Sequence, residues 1–428
     1  VEVKKMYLLK EKSLNDSAHV ELELKFLLNN SNKVIKNKQN ELLYTIDTYI
    51  DISGNIDIFQ RIVSYRIKEI ENSQNQKNLK GNLYTIFTSD EAKKNISENL
   101  LFGLPPLFRL IENCATKYFD NILECWAHYE CYKITSKASQ TQNIHNSGYF
   151  ALSNTCDEDD SYKYEIVSNI ENDTRLFHTS FSNVALDLPS ANLLINIETF
   201  IKQQHWYEML YCLDVSLNSE HFILYQENNG ELPLLLSTAL IQRWSNQHKW
   251  LTFQPFFQTE NWTIELSNEK LNTLNNCGMY EVGVNYLAQE KEIKNLDRKM
   301  LESVKNKDLV CEIIRMAISG KNEKLNFTLF LTLKYLTIEL SNIGLKIAYT
   351  IVEQPSILGF YRSVNSENCE ISPYVSVCSQ HVEGTKLKTY QGIVLTDVMS
   401  KIFKETNFRS YNKRIISMRK LERIGIHG

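Results

Sequence analysis

Glu312 and Arg315 stand three residues apart in Cys311-Glu-Ile-Ile-Arg-Met-Ala-Ile-Ser-Gly320, a stretch otherwise apolar or small. The surrounding Ile, Ala and Met read as a buried strand, where charges are costly unless they are used or paired. A carboxylate there can hold an ammonium group and accept its proton. The reference pKa of an α-amine is about 7.7 to 8.0, so a modest base suffices near neutral pH. A guanidinium can clasp a carboxylate with two parallel hydrogen bonds, or simply hold Glu312 in place. In a regular strand residues 312 and 315 face opposite sides, so both serve one site only if the strand is bulged between them. Two ion pairs on opposite faces, with no catalytic part, is the competing reading.

Just downstream, a turn at Ser319 and Gly320 leads toward a helix that begins near Lys321 and Lys324. A helix N-terminus there, flanked by two lysines, suits an anion such as the pyrophosphate of coenzyme A or the phosphate of a phosphopantetheine arm. If two adjacent parallel strands separate near this point, an extended pantetheine arm can pair with them as a short added strand does.

Other chemistries find no template. The chain has no GxxxxGK[ST], GxSxG or HExxH, and its nine histidines are scattered without ligand spacing, so no metal site is expected. Nine cysteines, odd in number and without a CxxC pair, fit free thiols in a reducing, cytoplasmic setting. A formal charge of −4 offers no attraction for nucleic acid. The longest apolar runs, such as LPLLL at 232–236, are far shorter than the ~20 residues of a membrane span. The first twelve residues, VEVKKMYLLKEK, lack a continuous apolar core of the kind a secretory signal carries.

The elements that must position Glu312 and Arg315 follow from patterning. At 428 residues two domains are expected. We read 1–165 as a mainly helical N-terminal region with a polar linker near 133–164, and 166–428 as a domain of strands and helices. A single amphipathic helix is predicted from Pro105 through about Tyr132, its apolar residues recurring at three and four. FILYQENNGELPLLLSTALI, within 221–241, reads as a hairpin turning at Asn228-Asn229-Gly230. MYEVGVNYLA (279–288) and LKIAYTIV (345–352) read as strands, as does CEISPYVSVCSQ (369–380). Between them the stripe Leu329, Leu333, Leu336, Leu340, Ile343 predicts a helix capped by Asn326 and stopped at Gly344, and Pro355 opens another. The fold class is therefore α+β or α/β, a mixed twisted sheet flanked by helices.

This order, with QPSILGFYRSVN, resembles the GNAT acyltransferase fold; Ser319 to Leu325 departs from that fold's usual phosphate loop, which argues against ordinary acetyl-CoA use. More narrowly, CEIIRMAIS resembles the Glu-x-x-Arg strand of acyl-homoserine-lactone synthases. Four pieces in order are similar to the LuxM/AinS-type branch of that family: GLPPLFRLIENCATK with CWAHY, CEIIRMAISG, YTIVEQPSILGFYRSVN and KTYQGIVLTDVMSKIF. They spread over roughly residues 103 to 403. The resemblance implies a quorum-sensing signal synthase that joins an acyl group to the amine of S-adenosylmethionine, then lactonises the methionine part and releases methylthioadenosine. It implies a bulge on the Glu312 strand, with Glu312 and Arg315 catalytic and Ser319, Gly320, Lys321, Lys324, Phe360 and Tyr361 toward the acyl donor. Acyl-carrier protein or acyl-CoA is the implied partner, and no cofactor beyond the substrates is expected. The residues that bind the adenosyl group remain unassigned within 200–262, which holds Trp206, Asp214, Trp244 and Trp262. Two other readings stay open: a GNAT-like N-acyltransferase acting on another amine, and a non-catalytic acyl- or nucleotide-binding module.

Overall fold

A computed structural model describes residues 18–29, 35–73, 83–88, 104–141, 160–213, 220–227, 230–245, 262–280, 283–320, 324–352, 355–364, 372–381 and 388–423. Lys321, the Asn228-Asn229 turn and Glu353-Gln354 lie outside these residues. The chain separates into two units, Val1–His145 with Asn196–Asp214, and Asn146–Ile195 with Val215–Gly428.

The first unit is helical: α1 (18–29), α2 (Ile35–Ser53), α3 (Ile58–Ser73), α4 (Leu83–Thr88), α5 (Pro106–Phe119) and α6 (Ile122–Thr141). The predicted single helix from Pro105 is two. Asp120 takes a left-handed backbone at φ 66°, and the Asn121 side chain accepts from the Glu124 backbone N–H at 2.9 Å, capping the second helix. Both helices keep their apolar stripes, with Phe108, Ile111, Cys114 and Ala115 buried on α5. The second helix runs through Thr141, so the first part of the expected linker is helical. Inside the unit Arg66 and Glu112, each about 1% exposed, form a two-pronged ion pair, with Arg66 Nη2 donating to Glu112 Oε2 at 2.8 Å. A π-helix, Ile197–Gln203, and a tight 3-10 turn, Tyr207–Cys212, complete it. There the Tyr207 hydroxyl donates to Glu124 at 2.6 Å.

The second unit is built on a mixed sheet. Its strands are β1 (Tyr162–Ser168), β2 (Leu176–Thr179), β3 (Ser182–Asp187), β4 (Glu220–Gln226), β5 (Leu234–Arg243), β6 (Thr263–Ile264), β7 (Val310–Ile318), β8 (Ile347–Val352), β9 (Tyr374–His381) and β10 (Lys388–Leu395). The main order is β1-β4-β5-β7-β8-β10-β9-β6, with β2 pairing β3 and β5. The β4–β5 hairpin forms as its sequence predicts. Helix α7 (Leu188–Asn196) follows β3. Between β6 and β7 come α8 (Asn268–Asn276) and α9 (Ile293–Ser303). Helix α10 (Leu325–Asn342) links β7 to β8, α11 (Pro355–Ser363) follows β8, and α12 (Thr396–Glu405) and α13 (Phe408–Arg423) follow β10. Among its described residues MYEVGVNYLA is not a strand. Tyr280 makes a lone bridge to Val304, and Gly283, at φ 103°, opens a 3-10 turn, Val284–Gln289, that ends the extended run.

Alternation along β7 and β8 divides the sheet into two faces. Cys311 and Ile313 pair with Ala348 and Thr350, and pack with Phe330, Leu333, Phe360, Phe403 and Tyr411 from the helices in one apolar cluster. Each such fully buried side chain contributes about 1.5–3 kcal/mol. Glu312 and Tyr349 point to the other face.

Candidate functional site

The site grows from two features of β7. Its pairing with β5 carries one extra residue: Thr238 and Leu240, two apart, face Ala317 and Ile314, three apart. The surplus falls at Arg315–Met316, and Arg315 takes a left-handed backbone at φ 52°. Cys311, Ile313, Met316 and Ile318 all belong with the helix-side cluster, so alternation is reset there. Without the bulge Arg315 would share the helix-side face with Ile313. The second feature is that β7 and β8 run parallel and their register ends at Ile313 and Thr350, while β7 continues to Ile318. A bulge on the Glu312 strand is what the resemblance implies, and the parallel seam stops partway beside it.

Glu312 is fully buried on the face away from the helix-side core. Its register partners are Gln242 on β5 and Tyr349 on β8. The Tyr349 hydroxyl donates to Gln391 Oε1 at 2.8 Å, and its ring lies 6.0 Å from that of Trp244. Burial pushes the Tyr349 hydroxyl far above its usual range, and the charges of Asp297 and Glu312 push the same way. Asp297 comes from α9, where it is 4% exposed in a stripe with Ile293, Leu296 and Met300. Its charge also bears on Tyr280, whose hydroxyl burial raises. Glu312 thus lies across the seam from a tyrosine whose ring neighbours Trp244 and whose hydroxyl is bound by Gln391. The Tyr280 hydroxyl and the Gln391 Nε2 are buried with no hydrogen-bond partner.

The other sequence-predicted residues are spread more widely. Ser319 is buried, its N–H donating to Leu236 O at 2.7 Å and its hydroxyl 2.7 Å from that of Ser180. Gly320 takes φ 145°, a conformation that L side chains rarely adopt. Lys324 is the residue before α10, whose helical bounds begin at Leu325. Asn326, the predicted cap, sits inside the first turn and accepts from Arg419 at 3.1 Å. Phe360 is enclosed by Phe403 and Tyr411, with ring centroids 5.6 and 4.8 Å away. Tyr361 stacks on Tyr374 at 5.6 Å, and Tyr374 lies across Gly392.

Beside that ring pair is a charged group, Glu265, Lys270 and Arg362. The Ser376 and Ser379 hydroxyls donate to Glu265, Lys270 donates to the carbonyls of Glu265 and Ser376, and Arg362 lies 3.7 Å from the carboxylate. Burial works against the Glu265 charge, but these hydroxyls and cations prevail and hold its pKa below the usual value.

Sequence reading did not select Asp297, Tyr280, Tyr349 or Gln391. The signal for Asp297 was present: an acid at the centre of a helical stripe whose other members are Ile293, Leu296 and Met300. Among the described residues no cluster of acids, thiols and imidazoles is arranged to hold a metal ion, and no helix is long and apolar enough to cross a membrane.

The sequence model of the family described as acyl homoserine lactone synthase matches residues 35–424. The chain is 33% identical over 257 residues to an acyl-homoserine-lactone synthase LuxM of Vibrio atlanticus, covering 60% of this chain and 63% of that relative. It is 28% identical over 318 residues to the synthase OpaM of Vibrio parahaemolyticus, covering 74% of this chain and 77% of the relative. A LuxM of Vibrio campbellii is 28% identical over 312 residues, covering 73% and 75%. The first of these alignments spans a little under two thirds of its relative. No solved structure matches the chain.

Proposed function

Because the chain belongs to the acyl homoserine lactone synthase family, a family of acyltransferases, we propose that it joins an acyl group from a thioester to the amine of S-adenosylmethionine and closes the product to a lactone. The observation that carries the assignment of residues is the fully buried Glu312 on a strand bulged at Arg315, beside a parallel seam that ends one residue later.

In this reading Glu312 holds the substrate ammonium and takes its proton, giving the neutral amine that attacks the thioester carbonyl; the C–N bond forms as the C–S bond breaks, and the donor leaves as its thiol with the amine's second proton. Arg315 clasps the substrate carboxylate. The acyl donor lies along β7 beyond Ile313, where its extended arm adds to the strand edge. Ser319, Gly320 and Lys324 line the path toward the start of α10, where the donor's phosphate sits, and Lys321 is assigned to the same donor from the sequence alone. Tyr361 with Tyr374 forms an acyl wall, and Phe360 backs that wall from the core. Backbone N–H groups at the bulge stabilise the thioester oxyanion. The substrate carboxylate then displaces methylthioadenosine from the carbon bonded to the sulfonium, a good leaving group, and holding the two in contact supplies much of the rate. Acyl-carrier protein or acyl-CoA is the donor. A reducing, cytoplasmic setting suits the cysteines, the seven described being free thiols.

The test is mass spectrometry of the purified protein with S-adenosylmethionine and a panel of acyl-carrier-protein and acyl-CoA donors. Acyl-homoserine lactone and methylthioadenosine should form together. Acylated product without methylthioadenosine would mean an N-acyltransferase of another kind, and no product from folded protein across the panel would overturn the reading.

A further inference from the structure

Glu312 shares its face of the sheet with a glutamine that the proposed chemistry leaves unused. The register partner of Glu312 on β8 is Tyr349, and the Tyr349 hydroxyl donates to Gln391 Oε1 on β10 at 2.8 Å. Gln391 pairs in turn with Ile351, which stands one residue past Thr350, the last residue of β8 in register with β7. Gln391 therefore lies on the Glu312 face, level with the place where the parallel seam has ended. The backbones of β7 and β10 are two strand spacings apart, roughly 10 Å, with Tyr349 on the strand between them.

Gln391 and Glu312 are fully buried, and Tyr349 is 2% exposed. An amide has two ends. Tyr349 occupies the oxygen, which fixes the orientation of the group, and the donor end, Nε2, has no hydrogen-bond partner among the described residues. A buried donor left unused is costly. The substrate of the proposed reaction brings an acceptor to this place: with its ammonium on Glu312, its carboxylate is bonded to the same carbon. A carboxylate offers about four acceptor sites and a guanidinium fork takes two, so a contact with Arg315 leaves room for a further donor.

Resting on the proposed function, we propose that Gln391, held by Tyr349, donates from Nε2 to the carboxylate of S-adenosylmethionine and orients it for closure of the lactone. In that step one carboxylate oxygen forms a C–O bond to the carbon next to the sulfonium as the C–S bond breaks. The electron pair of that bond stays on sulfur, and neutral methylthioadenosine leaves. Gln391 bonds the other oxygen, which becomes the lactone carbonyl. Its contribution is the alignment of the attacking oxygen, and Tyr349 acts through it by fixing the amide.

The experiment compares S-adenosylmethionine with its decarboxylated analogue, which keeps the ammonium and the sulfonium but has no carboxylate. Calorimetry on the full chain gives both affinities, and mass spectrometry follows acylated S-adenosylmethionine and methylthioadenosine over time. Gln391→Met keeps the length of the side chain without the donor. It should weaken S-adenosylmethionine about 10- to 100-fold, the range of one hydrogen bond to a charged group, and leave the analogue within about twofold. Acylated S-adenosylmethionine should then accumulate ahead of methylthioadenosine. Equal weakening of both ligands would make Gln391 a structural residue and overturn the proposal, as would a folded variant with wild-type affinity and wild-type product timing. Should Gln391→Met not fold, Tyr349→Phe with Gln391→Met removes both polar groups together, and the same comparison decides. A wild type that forms no lactone from any donor would instead sink the proposed function, and this inference with it.

Discussion

Glu312 and Tyr349 are register partners across the parallel seam between β7 and β8, both buried on the sheet face away from the helix-side core. Through the Tyr349 hydroxyl the pair is joined to Gln391 on the next strand. A carboxylate so placed has little freedom to turn aside, and that bears on what its replacement should do.

Glu312→Gln keeps the shape and the buried position but removes the charge and the base. Both products should fall by about 10²- to 10⁴-fold, the usual contribution of a positioned acid or base. The thermal midpoint should stay within a few degrees of wild type. A variant that retains turnover within threefold would remove Glu312 from the chemistry.

Arg315 permits a sharper separation of fold from function. Its left-handed backbone favours glycine, so Arg315→Gly should fold at least as well as wild type while losing turnover. Arg315→Val, with the same loss of charge and a branched Cβ, should in addition melt lower by the equivalent of about 1–3 kcal/mol. If the glycine variant were active, Arg315 would be a bulge residue and nothing more.

Gly392 has no room for a side chain. An added Cβ would meet the Tyr374 hydroxyl oxygen at 2.2 Å and ring carbons at 2.3 and 2.7 Å. Gly392→Ala should therefore cost about 1–3 kcal/mol as an overpacked site. Adding Tyr374→Phe should not restore stability, because the ring carbons remain; adding Tyr374→Leu should restore part of it. Chemical denaturation of the three variants decides.

In the helical unit, Arg66→Met alone leaves Glu112 buried without its principal cation and should cost about 3–5 kcal/mol. Arg66→Met with Glu112→Leu should recover most of that loss, since a packed apolar pair replaces an ion pair at little net cost. A double variant no better than the single one would contradict this account.

Glu265 contributes to the pH dependence of stability. The folded pKa of Glu265 is depressed, so its stabilisation is present above the ordinary carboxyl range near about 4.3 and is lost as pH falls through the lower folded value. Melting midpoints taken from pH 7 down to pH 3 should fall less steeply in Glu265→Gln than in wild type. Parallel curves would remove Glu265 from the acid limb.

Much of the second unit could be read in one dimension because its signals are local. Turn residues between two apolar runs mark the β4–β5 hairpin, and the leucine stripe marks α10 against its threonines. The bulge at Arg315 came only through the resemblance: it is a mismatch of register between two strands, and neither strand alone records it. The same limit hid Tyr349 and Gln391, whose meeting depends on β10 lying beside β8, and the break at Asp120, where one residue adopts a left-handed backbone inside an otherwise continuous apolar stripe. Asp297 was legible in principle. A charged residue centred in an apolar helical stripe is a local anomaly that the sequence itself records, at Asp297 among Ile293, Leu296 and Met300.

The helical unit is discontinuous, with residues 196–214 joined to 1–145 across the intervening start of the other unit. During synthesis the ribosome releases α1 to α6 and then β1 to β3 before the segment that supplies Tyr207 to Glu124 exists. Closure of the first unit therefore waits on a stretch of chain made some fifty residues after its helices end. The two units must mature in alternation, and a cut placed at residue 145 would give a fragment lacking one of its own walls.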